Sequence, residues 1–188
     1  LELAEQTPYA KSERVRKSWK EAQEITTDMY FWATDYLENN GWEHYEVSNF
    51  AKPNYQGRMN KMVWNGSGYL GVGVGAHSYD GKSRWGNIRP LHRYLELLKE
   101  NCWPTAFTET LTQTEKANEF LMLQLRQTKG LSLKKWEDDF APKNWMDNHF
   151  DVLRAWQKEG LLDWIGNRIV LTKKGLLVAD ALTAELSL

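Results

Sequence analysis

A chain of 188 residues carries 24 basic and 25 acidic groups and a formal net charge of -1, so nothing in its overall charge draws it to nucleic acid or an anionic membrane. Hydrophobic residues at 41% and charged residues at 26% describe a soluble globular protein of one large domain or two small ones. A lone cysteine, Cys102, excludes an internal disulfide and any multi-thiolate zinc or iron–sulfur site.

No apolar run reaches the length of a membrane span, and no basic-then-apolar leader opens the sequence. The expectation is a cytoplasmic protein without a membrane span. The first residue is Leu1, not methionine, which leads to the further expectation of a fragment of a longer chain.

The first helix is predicted over Glu21 to Asn39. Ala22, Ile25, Met29, Trp32, Ala33 and Tyr36 recur at three- and four-residue spacing and define a stripe expected to be buried. Asn39-Asn40-Gly41 supplies its left-handed stop. Tyr45 to Phe50 reads as one short strand, ended by Pro53. Residues 51–68 read as loop, with Asn65-Gly66 as a turn. Tyr69 to Val74 reads as a buried strand lightened by Gly71, Gly73 and Gly75. Two readings of those glycines stand level: close packing on a neighbouring backbone, or a backbone that touches a flat ligand. Pro90 to Glu100 is a predicted helix with Leu91, Tyr94, Leu95 and Leu98 on one face.

Trp103 to Leu111, with Pro104 and three threonines, reads as a connector to a second unit. Thr112-Gln113-Thr114-Glu115 is a capping box, and Ala117, Phe120, Leu121 and Leu125 form the buried stripe of the helix it opens. Leu131 to Phe140 is a short helix and Trp145 to Glu159 a longer one, with Met146, Phe150, Leu153 and Trp156 inward. Two strands flank the Gly166-Asn167 turn, and Thr172 caps a last helix reaching Leu186. Three helices, a hairpin and a final helix make a winged-helix-like pattern. The domain division is therefore 1–108 and 109–188.

Several patterns resemble chemistry and are weaker than they look. Ala76 to Ser83 nearly spells a phosphate loop, but Gly86 and Pro90 interrupt the helix that would have to follow it. A hairpin or surface turn at Asp80-Gly81 is the preferred reading. Gly71 to Ala76 resembles a dinucleotide fingerprint, yet it leads into a loop where that motif requires a helix. Among the four histidines, no two have ligand spacing on one helix face. His149 reads as a boundary residue, His92 as exposed, and His77 as a strand-end residue able to carry function. Glu137-Asp138-Asp139 reads as a solvated helix end, and Cys102 as a structural thiol. The tryptophans read mostly as core or boundary residues, with Trp64 and Trp85 in loops at a ligand or domain interface. Asp147 and Asp151 on the outward face of the 145–159 helix argue against contact with DNA phosphates.

Two longer stretches are more specific. Residues 45–53 read Tyr-Glu-Val-Ser-Asn-Phe-Ala-Lys-Pro, and residues 69–79 read Tyr-Leu-Gly-Val-Gly-Val-Gly-Ala-His-Ser-Tyr. In this order and spacing the chain resembles the oxygen-independent coproporphyrinogen III oxidase family of radical S-adenosylmethionine proteins, in its haem-chaperone-like branch. Asp28-Met29-Tyr30 before these stretches and the segment from Gly160 through Leu171 to Gly175 after them extend the resemblance over almost the whole chain.

The resemblance implies an α/β fold: the C-terminal strands and helices of a partial (β/α) barrel, then a mainly helical, winged-helix-like domain. It implies a role in porphyrin or haem metabolism, with S-adenosylmethionine and a [4Fe–4S] cluster in the full-length parent. The cluster's Cys-x3-Cys-x2-Cys motif is absent here, so the fragment is expected to hold neither group, to be inactive alone, and to need the missing N-terminal half of its parent. By the same resemblance, Gly75, Ala76 and His77 would line the S-adenosylmethionine or substrate cavity. Met59, Asn60 and Trp64 align with a haem-linked His-Asn-x-x-Tyr-Trp stretch, in which Met59 replaces the histidine and Val63 the tyrosine. Methionine sulfur can still ligate haem iron. Two alternatives stand beside the oxidase reading: a module that binds and delivers haem, and a winged-helix domain that contacts a protein partner.

Overall fold

The computed structural model describes residues 7, 8 and 10–188, without the side chains of residues 16, 17, 19–21, 23 and 24. Leu1 and the side chain of Trp19 fall outside this set. The architecture is mixed α and β. Every strand pair among the described residues is antiparallel, and no barrel closes.

Helix α1 runs from Glu13 to Asn39, longer at its front than predicted. Asn40 caps it and Gly41, at φ 75°, turns the chain away. Its predicted stripe is not buried: Ile25, Met29, Trp32 and Tyr36 are all exposed, Trp32 to 68%. The face that does pack carries Thr34, fully buried, and half-buried Tyr30, whose ring meets His44 edge-on at 6.2 Å. Periodicity marks an apolar face; it does not supply the partner that covers it. Helix α3, Leu91–Lys99, repeats the lesson: Leu91, Leu95 and Leu98 are exposed.

The predicted strand at 45–50 is a hairpin, β1 (Glu43–Glu46) paired with β2 (Asn49–Ala51). The buried Glu46 carboxylate makes the turn by accepting the Ser48 amide at 3.1 Å and the Asn49 side-chain amide. The supposed loop at 51–68 contains a helix, α2 (Arg58–Trp64). Trp64 is its last residue.

The buried strand expected at 69–74 does not form. Tyr69 makes one bridge to Tyr79, and Leu70, Val72 and Val74 are exposed. Gly73 and Gly75 take positive φ values of 106° and 63°, which extended strands do not accommodate. Gly71 settles the other question about these glycines: a Cβ there would lie 2.1 Å from the His77 carbonyl oxygen. The chain folds back on itself, with the Gly71 amide donating to Ser78 Oγ at 2.9 Å.

β3 (His77–Tyr79) and β4 (Ser83–Asn87) form the hairpin predicted at Asp80-Gly81. Asp80 Oδ1 accepts the Lys82 and Ser83 amides, and Gly81 sits at φ 94°. Trp85 is a strand residue, not a loop residue. The 103–111 connector is also a strand, β5 (Thr105–Thr110), which adds to β4. Its run of β-branched and aromatic residues carried that signal. Cys102 precedes it and is exposed, which removes its structural-thiol role.

The second unit follows its prediction in part. Thr112 and Glu115 exchange both capping-box hydrogen bonds at the start of α4 (Gln113–Leu125), whose Ala117, Phe120, Leu121 and Leu125 are buried. β6 (Leu131–Ser132) and α5 (Leu133–Asp139) replace the single helix predicted at 131–140. α6 (Trp145–Lys158) buries Trp145, Leu153 and Trp156, while Phe150, expected inward, is exposed. β7 (Leu162–Trp164) and β8 (Arg168–Leu171) pair around Gly166, and β6 adds to β8. Thr172 caps α7 (Lys173–Leu176), and α8 (Ala179–Leu186) closes the unit, so the predicted last helix is broken near Leu177. Aside from Ala10 and Ala51, the buried apolar residues lie in this unit, all but Leu111 in one cluster around Trp136 and Trp145.

Polar contacts tie the first half to this core. Thr128 donates its hydroxyl to the His44 carbonyl, the Val47 amide donates to the Arg126 carbonyl, and Gln124 donates to the Trp64 carbonyl. Lys173 bridges Asp35 and Glu38 of α1 at 2.7 and 2.5 Å.

Candidate functional site

The residues proposed from sequence fall in two places. Met59 and Asn60 sit in the first turn of α2, with Met59 52% exposed and Asn60 half-buried. Trp64, at the other end, is half-buried, and its carbonyl accepts from both Gln124 and Gln127. Met62 is also exposed, so α2 presents two thioethers to solvent.

Gly75, Ala76 and His77 lie where the glycine segment enters β3. The Gly75 amide donates to the Ile88 carbonyl at 3.0 Å, and the Ala76 carbonyl accepts the Asn87 amide at 2.9 Å. The Asn87 side chain holds the Gly73 carbonyl. Much of the backbone polarity expected to face a ligand is thus already satisfied within the fold. His77 is exposed and edge-on to Phe107 at 5.5 Å.

A cavity of about 460 Å³ opens between these places. Its lining includes Val63, Asn65 and Gly66 at the end of α2, Tyr69 and Tyr79 at the hairpin, and Phe120, Lys116, Lys135, Asp139 and Phe140 from α4, α5 and the residue after it. None of Met59, Asn60, Trp64, Gly75, Ala76 and His77 lines it. Arg84 also faces it, with its guanidinium spent on Glu109 and Glu119. Burial, then the neighbouring Glu119 and Asp80 carboxylates, raises the Tyr79 phenol above its ordinary value. Sequence reasoning did not single out this cavity. Its residues were placed there one segment at a time, Asn65-Gly66 and Gly81 in turns, Tyr69 in a strand, Phe120 in the core and Asp139 at a solvated helix end, and none was assigned to a site in common.

His44, beside the β1–β2 turn, stacks on Phe50 at 4.3 Å. Burial, the largest influence, lowers its pKa from the ordinary 6.5, against the hydrogen bond to the Val47 carbonyl. A neutral imidazole is therefore favoured by folding. Its stabilising effect is complete above pH 6.5 and is lost as pH falls through the lowered folded value. Thermal melts should show a loss of stability from pH 7.5 to pH 5 that is reduced in His44→Phe. Equal acid sensitivity in both would exclude His44 as its source.

Residues 111–178 match the family model described as the HemN C-terminal domain. The chain is 32% identical over 159 residues to the heme chaperone HemW of Bacillus subtilis, covering 84% of this chain and 41% of that protein. It is 34% identical over 146 residues to the heme chaperone HemW of Mycobacterium tuberculosis, covering 78% of this chain and 35% of that one. The zebrafish (Danio rerio) mitochondrial radical S-adenosyl methionine domain-containing protein 1 is 32% identical over 123 residues, covering 61% and 28%. Among solved structures, coproporphyrinogen III oxidase (HemN) from Escherichia coli, a radical SAM enzyme, superposes with a TM-score of 0.66 at 19% identity, over 85% of this chain and 40% of that one. The chain thus spans about two fifths or less of the length of each of these relatives. A likeness over 84% of the sequence, a matched C-terminal domain and a shared fold lead to one conclusion: the chain belongs to the HemN/HemW-like family of radical S-adenosylmethionine proteins, of which it carries the C-terminal part.

Proposed function

We propose that this chain is the haem-handling C-terminal portion of a radical S-adenosylmethionine protein, and that α2 is its contact with haem. The observation that carries the reading is the identity with heme chaperones over 84% of the chain. The exposed Met59 supports it chemically, because a thioether that solvent can reach is free to ligate haem iron. Asn60 would offer a hydrogen bond, and Trp64 an aromatic face about one helical turn beyond Asn60.

The division at 1–108 and 109–188 follows the same reading, and the matched family model falls within the second part. The element order from α4 to α8 supports a winged-helix-like description of that part. Its outward α6 face, with Asp147 and Asp151 exposed, suits a protein contact better than a nucleic acid. The exposed stripes of α1 and α3 are the surfaces we assign to packing against the remainder of the parent. No helix among the described residues is long and apolar enough to cross a membrane.

The oxidase reading, the first one taken from the sequence, becomes the second here, and the shared fold with the HemN enzyme is what supports it. The donor set here does not fit an iron–sulfur cluster, which takes several thiolates where this sequence has one cysteine. The Gly75 and Ala76 amides and the Ala76 carbonyl are already hydrogen-bonded within the fold, which leaves the Gly75 carbonyl and His77 as the groups a ligand at that strand end would meet. We assign both cofactors to the remainder of the parent.

Hemin titrated into the purified chain should shift the Soret band, and Met59→Ala should abolish the shift. A wild-type spectrum equal to that of free hemin would overturn direct haem contact.

A further inference from the structure

We propose that Gln124 and Gln127 are positioning residues for α2: their side-chain amides hold its last carbonyl, and by that hold the second half of the chain sets how Met59 is presented to haem. This rests on the reading of α2 as the haem contact and adds to it two residues that act from the end of the helix opposite Met59.

Helix α2 has seven residues, none of them buried, and Gly57 before it offers no side-chain cap. A helix this short does not hold itself together in water, so its place depends on what grips it. Its last four carbonyls, which no helix satisfies from within, show where the grip lies. Those of Lys61, Met62 and Val63 accept the amides of Asn65, Ser67 and Gly66, the residues that follow at once. The fourth, of Trp64, is satisfied by the other half of the chain. Gln124 Nε2 donates to it at 3.1 Å and Gln127 Nε2 at 3.4 Å.

Glutamines three residues apart share one face at a helix end, and these two converge on one oxygen. Gln124 is buried near the end of α4. Gln127 also donates to the Leu123 carbonyl at 3.0 Å, which ties its side chain back to α4. The turn that carries them is itself anchored on two sides. The Arg126 carbonyl accepts the Val47 amide, and Thr128 gives its amide to the Tyr45 carbonyl and its hydroxyl to the His44 carbonyl. The Arg126 guanidinium pairs with Asp180 of α8 at 2.7 Å. The glutamines therefore reach α2 from a fixed base. A ligand that α2 binds only in the held pose loses apparent affinity in proportion to the molecules that leave that pose.

Leucine in place of each glutamine keeps the bulk, removes the donor and offers iron no ligand. In the unliganded chain, amide hydrogen exchange over residues 58–67 should speed up in Gln124→Leu/Gln127→Leu, while exchange in α6 and β8 stays as in the wild type. Hemin should then give the wild-type Soret maximum at saturation, because Met59 is still the ligand, with an affinity about tenfold weaker, the loss of one net hydrogen bond. Gln127→Leu alone, at a half-buried position, should give the same two changes to a smaller degree. Thr128→Val, which loses a tie to β1 and none to α2, should bind hemin as the wild type does.

Unchanged exchange in α2, or unchanged hemin affinity in the double variant beside a normal wild-type Soret shift, would overturn the positioning role and leave the haem contact standing. So would an altered Soret maximum, an equal loss in Thr128→Val, or faster exchange spread over α6 and β8, which would make the glutamines ordinary structural residues. A wild-type chain that does not shift the Soret band would overturn the haem contact itself, and the positioning role with it.

Discussion

Trp136→Ala is expected to lower the unfolding free energy by about 3–5 kcal/mol, the usual cost of emptying a fully buried tryptophan site. Against a total of about 5–15 kcal/mol for a domain, that removes from about a fifth to all of the stability. The reason is position. Trp136 has no exposed surface and sits among Phe120, Phe140 and Trp145 with ring centroids 6.4, 5.9 and 5.2 Å away. No single neighbour can collapse into the space, since each is itself held by a different element. The indole N–H complicates the comparison usefully, because it is buried without a hydrogen-bond partner. An orphan donor of this kind costs about 1–3 kcal/mol. Trp136→Phe removes it together with part of the ring, so its net cost should be clearly below that of Trp136→Ala. Urea unfolding followed by circular dichroism measures both. A Trp136→Ala midpoint equal to that of the wild type would mean the aromatic cluster is not the core of this unit.

The second half of the chain was the more legible because its instructions are local or its partners are near in sequence. The Thr112 capping box, the Gly166 turn and the Thr172 cap each act within four residues, and each forms as read. The stripe on α4 is buried because α5, α6 and α8 lie within the same short stretch to cover it. In the first half, α1 and α3 have equally regular stripes, and these stay exposed. A stripe reports that a face would gain from burial; whether a cover exists is decided elsewhere. The hairpin at 43–51 escaped for another reason. Alternation of Tyr45, Val47 and Asn49 looks the same in one strand as in two, and the buried Glu46 that turns the chain looks like an outward residue. Helix α2 was legible in principle, through Met59, Met62 and Val63 at three- and four-residue spacing.

The candidate site was legible only where one segment carries it. Met59 to Trp64 is such a segment, and it does emerge on one helix. The cavity is assembled from residues 63–84 and 116–140, and no pattern in either stretch announces the other. Gly71 shows how one residue type hides both outcomes. Close approach of a backbone was one of two level readings, and the backbone turned out to be that of His77, six residues on.

Gly130→Ala should be a costly single methyl for the second half of this chain, and Gly166→Ala is its control. Both glycines take left-handed backbone, at φ 65° and 58°, where alanine pays about 1–2 kcal/mol. They differ in what surrounds them. Gly166 has open space where a Cβ would stand. At Gly130 the Cβ would lie 2.1 Å from the Ile169 carbonyl oxygen and 2.8 Å from the Val170 Cα. Those are backbone atoms of β8, the middle strand of its sheet, so relief requires moving the strand. The same place is held by the Leu131–Ile169 pairing and by Arg168, whose guanidinium donates to the Gly130 carbonyl at 2.6 Å. Forced overpacking should add about 1–3 kcal/mol to the conformational cost. Unfolding experiments should therefore rank Gly130→Ala below Gly166→Ala by at least that added amount. Equal costs would show that β6 can detach from β8 without consequence, and that the three-stranded sheet contributes little to holding α4 against the rest of the core.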